Sequence, residues 1–378
     1  MTVQSPAAAF DPAICPRLVV KIGSSLLVDA AGAVRSDWLA GVVADIAQRR
    51  SAGQQIVVVS SGAIALGARR LGLDKGGRAS LEDAQAAAAV GQVALAGVWA
   101  ALLGSQGLTA AQVLLTLGDL EDRRRYLNVA ATIARLLDLG AVPVLNENDT
   151  VATTEIRFGD NDRLAARAAQ AAGAAGVILL SDVDGLYTAN PATDAAATRI
   201  AVVKALTPEI MAMATGETRS GMGSGGMAAK LLAARMAGAA GIALAICDGR
   251  VERPLSHFAA AGGGTLFLPP RAAKGRKAWL AGRITVAGAL MVDAGAAAAL
   301  KRGASLLAAG VSLVDGKFRR GDVVAITGPA GELIGRGLAG YDADDARAIL
   351  GQRNEAQAAI LGYAPRAALV HADHLVLI

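Results

Sequence analysis

The sequence predicts a three-layer α/β/α sandwich on a mainly parallel sheet, followed by a small β-rich domain. Three observations carry this. Between residues 17 and 249, short β-branched runs alternate with alanine-rich helical patterns, the spacing of βαβ units. The strand-like runs are apolar nearly throughout, as in strands covered on both faces. Beyond residue 279 short strands separated by Gly-rich turns take over, with one short helix.

RLVVKIGSSLLV (17–28) reads as a strand running into a Gly23-Ser24-Ser25 turn. Lys21 sits inside that run between Val20 and Ile22, and a lysine so enclosed needs an anionic partner. Residues 37–50 have helical spacing. QIVVVSSGAIALG (55–67) is a strand, a Ser60-Ser61-Gly62 turn and a helix start. Such a unit presents backbone N–H groups to an anion, although short loops use the same residues for capping alone. Residues 81–103 and 120–139 read as helices, and AAQVLL (110–115) as a strand. Residues 86–103 come nearest to a membrane span, but Gly91, Gln92 and Gly97 interrupt an alanine-rich run, so a buried helix is expected and no membrane association.

AVPVL (141–145) and GVILLS (176–181) are two further strands. In parallel sheets ligands bind beyond the carboxyl ends of the strands, and Lys21, Ser61, Asp149 and Asp182 all end or follow such runs. SGMGSGGMAAKLLAARMA (220–237) places Gly221, Gly223, Gly225 and Gly226 ahead of a helix carrying Lys230. The string matches G-x-G-x-x-G, yet no strand precedes it, so the dinucleotide reading fails on context. A phosphate clamp and a flexible linker both fit. GIALAICDG (241–249) reads as the last core strand, and GGGTLFLPP with RAAKGRK as a linker. The expected boundaries are therefore 15–265, a linker at 266–278, and a second domain at 279–378. Asp315-Gly316 is a hairpin signal.

The densest polar stretch is LNENDTVATTEIRFGDND (145–162), with five carboxylates and three asparagines between a strand and an Ala-rich helix. Its NEND and GDND clusters are good turn formers. Two of them on loops beside buried elements equally suit a polar site.

Composition narrows the class. The chain has 378 residues, 53% of them apolar and 18% charged, which suits a globular protein of two or three domains. Cys15 and Cys247 offer neither a disulfide framework nor metal spacing, and the first ten residues do not resemble a signal peptide; a cytoplasmic protein is expected. The net charge is +5, with residues 1–270 balanced at 23 cations and 23 anions and residues from 279 onward at 10 and 9. The excess sits on Arg271, Lys274, Arg276 and Lys277, so the charge disfavours an RNA-binding surface on the tail.

VVKIGSS, VVVSSGAIALG, the NEND–GDND pair and GMGSGGMAAK occur in this order in the amino acid kinase family, which the chain resembles over nearly its whole length. Within the family it is most similar to the branch that phosphorylates free glutamate for proline synthesis. GASLLAAGV and GKFRRGDVVAI, in the tail, resemble the PUA domain that many bacterial members carry. Departures are mild: Ser24, Ser60 and Ser224 stand where threonine is common.

The resemblance implies ATP and Mg²⁺, with Lys21 and Lys230 on the phosphates and Gly23, Ser24, Ser224, Gly225, Gly226 and Met227 around them. It places Ser181 and Asp182 on the nucleotide side, and Ser61, Asp149 and Asn161 on the amino acid. Asp162 would orient the lysines or help hold Mg²⁺. It further implies L-glutamate as substrate, feedback inhibition by proline, a reductase consuming glutamyl phosphate, and a homo-oligomer.

The chemistry is consistent with this. His257, His371 and His374 lie in no motif, and a carboxylate acceptor is already ionised near neutral pH and needs no base. A kinase for acetylglutamate or aspartate, and an RNA-binding protein using the tail, are the other readings. An acetylated amine would gain nothing from a carboxylate at Asp149.

Overall fold

The structure, a computed structural model, describes residues 5–29, 32–151, 161–191, 193–214, 226–270, 286–352, 354–366 and 368–377. The chain divides into two compact units, Met1–Arg271 and Ala272–Ile378.

Among the described residues, the first unit is built on eight strands: β1 (Arg17–Ile22), β2 (Gln55–Val59), β3 (Ala110–Leu115), β4 (Val142–Glu147), β5 (Gly176–Ser181), β6 (Val202–Val203), β7 (Ala243–Asp248) and β8 (Thr265–Phe267). They are ordered β3-β4-β2-β1-β5-β7-β8-β6. The first six in that order pair in parallel, and β8 runs antiparallel to β7. The chain leaves β1 toward β2 on one side and later returns to β5 on the other. The crevice beyond β1 and β5 is therefore the switch point where such sheets bind ligands.

Strand parity sorts β1 between the two faces. Leu18, Val20 and Ile22 join a core with helices α2 (Ser36–Ser51), α3 (Ala63–Leu71), α4 (Leu81–Ser105) and α10 (Pro254–Ala261). Val19, and with it the parity of Lys21, belongs to the opposite core with α6 (Arg123–Asp138), α7 (Asn161–Ala172) and α9 (Met227–Ala239). The continuous apolar character of β1 and β5 follows from this two-sided cover.

Helix α4 is long and apolar enough to cross a membrane by length and composition. Here Ala84, Ala87, Ala88, Gly91, Leu95, Trp99 and Leu103 form a buried face at helical spacing. Its crossing with α3 is unusually close. A Cβ at Gly67 would lie 1.7 Å from the Ala87 carbonyl oxygen, and one at Gly91 would lie 1.7 Å from that of Ala63. Only glycine at both positions lets the helices meet, which accounts for the interruption at Gly91 in the apolar run.

Two expectations change. The helix expected over 120–139 is two helices, α5 (Leu117–Glu121) and α6, because Asp122 is extended and its side chain caps α6 by accepting from Arg125 N. GGGTLFLPP is not all linker, since β8 pairs with β7 and Thr265 Oγ1 bridges Leu186 N and Ile200 O. The sheet therefore extends past residue 265, into the segment expected as linker.

The second unit has a sheet ordered β10-β9-β11-β12-β13, from β9 (Gly288–Val292), β10 (Val311–Gly316), β11 (Val323–Thr327), β12 (Leu333–Leu338) and β13 (Leu375–Leu377). Helices α11 (Ala294–Lys301), α12 (Ala343–Ala348) and α13 (Asn354–Leu361) accompany it, where one was expected. Asp315-Gly316 does not close a hairpin. Strands β10 and β11 lie on opposite sides of β9, and the connection between them buries Phe318 in the core.

Candidate active site

A cavity of about 620 Å³ opens beyond the carboxyl ends of β1, β2, β4 and β5. Lys21, at the end of β1, follows the parity of Val19 and reaches toward α7 and α9. There Asp162, in the first turn of α7, lies between two lysines. Its Oδ1 is 2.7 Å from Lys21 Nζ and its Oδ2 is 3.2 Å from Lys230 Nζ, in the first turn of α9. All three side chains are buried. Burying an unpaired ion costs several kcal/mol, so the anionic partner that Lys21 requires is Asp162. Burial by itself would push the Asp162 carboxyl up, and the two lysines outweigh that, holding it below the ordinary carboxylate range. The trio carries two positive charges and one negative. It therefore keeps a net positive charge where Lys21 and Lys230 line the cavity.

Asp149 starts a single 3-10 turn (Asp149–Val151) just after β4, and it is buried. Burial pushes its carboxyl up to about 6, with Arg78 opposing the shift. Ser61, two residues beyond β2, and Asn161, the first residue of α7, lie together, with Asn161 Nδ2 donating to Ser61 Oγ at 2.8 Å. Gly23, Ser24, Ser181, Asp182, Gly226 and Met227 also line the cavity, whereas Asp162 stands behind the lysines. Ser224 and Gly225, with Asp160 of the GDND cluster, lie outside the described residues.

Asp184 accepts from Tyr187 Oη and from Arg199 Nη1, each at 3.1 Å. This ties down the loop after β5, which Thr265 of β8 also holds. Among the described residues no three His, Cys, Asp or Glu side chains gather as a metal site. Asp182, which lines the cavity, is a carboxylate oxygen donor of the kind a hard divalent cation takes.

The model of the amino acid kinase family matches residues 16–248, and that of the PUA domain matches residues 288–361. The chain belongs to the amino acid kinase family. This kinase is 64% identical over 369 residues to the glutamate 5-kinase of Sphingopyxis alaskensis, covering 98% of this chain and 99% of that one. It is 60% identical to that of Novosphingobium aromaticivorans over the full length of both chains. With that of Zymomonas mobilis it shares 59%, over 98% and 94% of the two chains.

Arg78, Asn146, Glu147, Tyr187, Met213 and Arg250 also line the kinase's cavity, although the sequence reading assigned them no role. Arg78 had a weak signal. It follows Lys75-Gly76-Gly77, all three with φ between 49° and 75°, a tight left-handed turn that two glycines make affordable. Asn146 and Glu147 belong to the NEND cluster already marked as suiting a polar site, whereas Tyr187, Met213 and Arg250 reach the cavity through tertiary packing that no local pattern encodes.

Proposed function

We propose that this amino acid kinase transfers the terminal phosphoryl group of ATP to the side-chain carboxylate of L-glutamate, giving L-glutamyl 5-phosphate, the first step of proline biosynthesis. The observation that carries this reading is one cavity with two chemistries. Lys21 and Lys230 line it as cations braced on Asp162, and Asp149 lines it as a buried carboxylate suited to an ammonium group. Relatives that are 59–64% identical and carry the name glutamate 5-kinase support it.

In this reading a side-chain carboxylate oxygen of glutamate attacks the terminal phosphorus of ATP. A new P–O bond forms, the bond to the bridging oxygen breaks, and that oxygen leaves with ADP. The attacking group is already ionised, so no base is required. Lys21 and Lys230 hold the phosphates and meet the charge that grows on the transferring group. The N–H groups of Gly23, Ser24, Gly226 and Met227 surround those phosphates, and Ser181 and Asp182 lie on the nucleotide side. Asp149, Asn161 and Ser61 fix the amino acid, which converts the reaction into an oriented encounter. Mg²⁺ would come on the phosphates, beside Asp182, and offset part of their charge.

The product is an acyl phosphate that hydrolyses readily, so a glutamyl phosphate reductase is the natural consumer. Feedback by proline, assembly as a homo-oligomer and a cytoplasmic location belong to the same reading; the free, buried thiols of Cys15 and Cys247 suit a reducing compartment. ADP release measured with glutamate, N-acetylglutamate, aspartate and UMP tests the reading. Release dependent on glutamate alone is the expected result, and equal release with N-acetylglutamate would contradict the role given to Asp149.

A further inference from the structure

Helix α4 sends one polar side chain into the floor of the amino acid subsite. Gln92, half-buried and adjacent to the Gly91 crossing, accepts from Asn146 Nδ2 at 2.8 Å. Asn146 Oδ1 in turn accepts from Glu147 N at 2.9 Å and from Asn161 Nδ2 at 3.1 Å. Asn161 Nδ2 also donates to the Ser60 carbonyl at 2.9 Å and to Ser61 Oγ at 2.8 Å. A second α4 residue braces the same floor, as Trp99 Nε1 donates to Ser60 Oγ at 3.1 Å.

The direction of this chain of amides is fixed by backbone groups. The Glu147 N–H can only donate, so it faces the oxygen of Asn146, and the amide nitrogen of Asn146 must turn to Gln92. The Ser60 carbonyl can only accept, so it faces the nitrogen of Asn161. What is left over is Asn161 Oδ1, which is buried and has no hydrogen-bond partner among the described residues. A buried acceptor without a partner is costly, and Asn161 lines the cavity together with Asp149. A primary ammonium group supplies the donors that both oxygens need.

We propose that Gln92 is a positioning residue for the amino acid subsite: by accepting from Asn146 it holds the amide chain that turns Asn161 Oδ1 toward the substrate ammonium. This rests on the proposed glutamate reaction and deepens it, since it assigns α4 a part in recognising the primary amine. Without that acceptor, Asn146 Nδ2 has no partner where it stands. Asn146 then rotates, and the oxygen–nitrogen order of the chain is lost before it reaches the substrate.

The test compares the parent with Gln92→Met, which keeps length and helix propensity but removes the acceptor, and Gln92→Glu, which keeps an acceptor oxygen. Gln92→Ser, too short to reach Asn146, is the second loss variant should the methionine protein not fold. Steady-state kinetics are paired with calorimetric titration of glutamate, so that binding is read even without turnover. Loss of one hydrogen bond to the chain is expected to raise KM and Kd for glutamate about 10-fold, with KM for ATP and kcat within about 2-fold of the parent. Gln92→Glu restores glutamate affinity to near the parent value. A folded Gln92→Met or Gln92→Ser protein with parental glutamate affinity, even at a lower melting temperature, overturns the positioning role. So does a Gln92→Glu protein as impaired as Gln92→Met. Parental turnover on glutamate leaves the reaction standing in either case, whereas a parent that neither binds nor phosphorylates glutamate overturns both.

Discussion

Replacing Asp162 by asparagine removes the one negative charge between two buried ammonium groups. The Lys21 and Lys230 side chains are 9% and 7% exposed, and Asp162 is 1% exposed. Asparagine keeps one oxygen for one lysine and leaves the other facing an amide nitrogen, while the two cations repel each other unscreened. Breaking a buried ion pair from one side costs about 3–5 kcal/mol. At about 2–4 °C per kcal/mol for a unit of this size, the melting transition of the first unit should fall by about 6–20 °C. ATP with Mg²⁺ brings phosphate charge back to the same lysines, so it should raise the melting temperature of Asp162→Asn more than that of the parent. Differential scanning calorimetry with and without nucleotide measures both effects. An unshifted transition would show that Asp162 is not the counter-charge of the lysines. A destabilised variant with the parental nucleotide shift would show that the lysines do not meet the phosphates.

Lys230→Met keeps length and helix propensity and should lower turnover about 10²–10³-fold with a smaller loss of ATP affinity; Lys230→Arg should not rescue it fully, because a planar fork replaces a compact charge. Parental turnover in the methionine variant would remove Lys230 from the reaction. Asp149→Asn should raise KM for glutamate about 10- to 150-fold, the worth of one charge-assisted contact, and leave KM for ATP near its parental value. Because burial lifts the Asp149 carboxyl to about 6, glutamate affinity should be flat above pH 7 and fall about tenfold per unit below 6 as the carboxylate is lost; a profile unchanged down to pH 5 would oppose this. In stability the same shift has the opposite sense. The folded value exceeds the unfolded one near 3.8, so Asp149 detracts from stability above pH 6, and the penalty fades as pH falls from about 6 to about 4 and is gone below that. Truncation after residue 271 should leave a folded, active kinase, since every residue assigned to the reaction precedes Gly249; a folded truncation without glutamate-dependent ADP release would show that the second unit completes the site.

Much of the first unit was legible because its main strands are buried on both faces and so announce themselves as apolar runs. The need of Lys21 for an anion was legible for the same reason, and Asp162 meets it. Strands β6 and β8 were not, being two and three residues long and held by pairing partners remote in sequence. The break at Asp122 was obscured because α5 and α6 both carry helical spacing, and only a cap residue divides them. The hairpin expected at Asp315-Gly316 failed because turn chemistry fixes a local bend, not which strand comes alongside. In the site, the charged and Ser/Gly residues at strand ends could be picked out by type and place. Gln92 could not, because its part depends on a helix crossing that brings it within 2.8 Å of Asn146, 54 positions away.

The identity of the phosphorylated atom tests the account most directly. The enzyme is incubated with ATP, Mg²⁺ and L-glutamate in the presence of hydroxylamine, which captures an acyl phosphate as a hydroxamate, and the product is resolved by mass spectrometry and fragmentation. The account predicts the side-chain hydroxamate of glutamate, formed in step with ADP and absent when N-acetylglutamate or aspartate replaces glutamate. ADP formed with glutamate but without any hydroxamate, or a hydroxamate that forms equally from N-acetylglutamate, would contradict it.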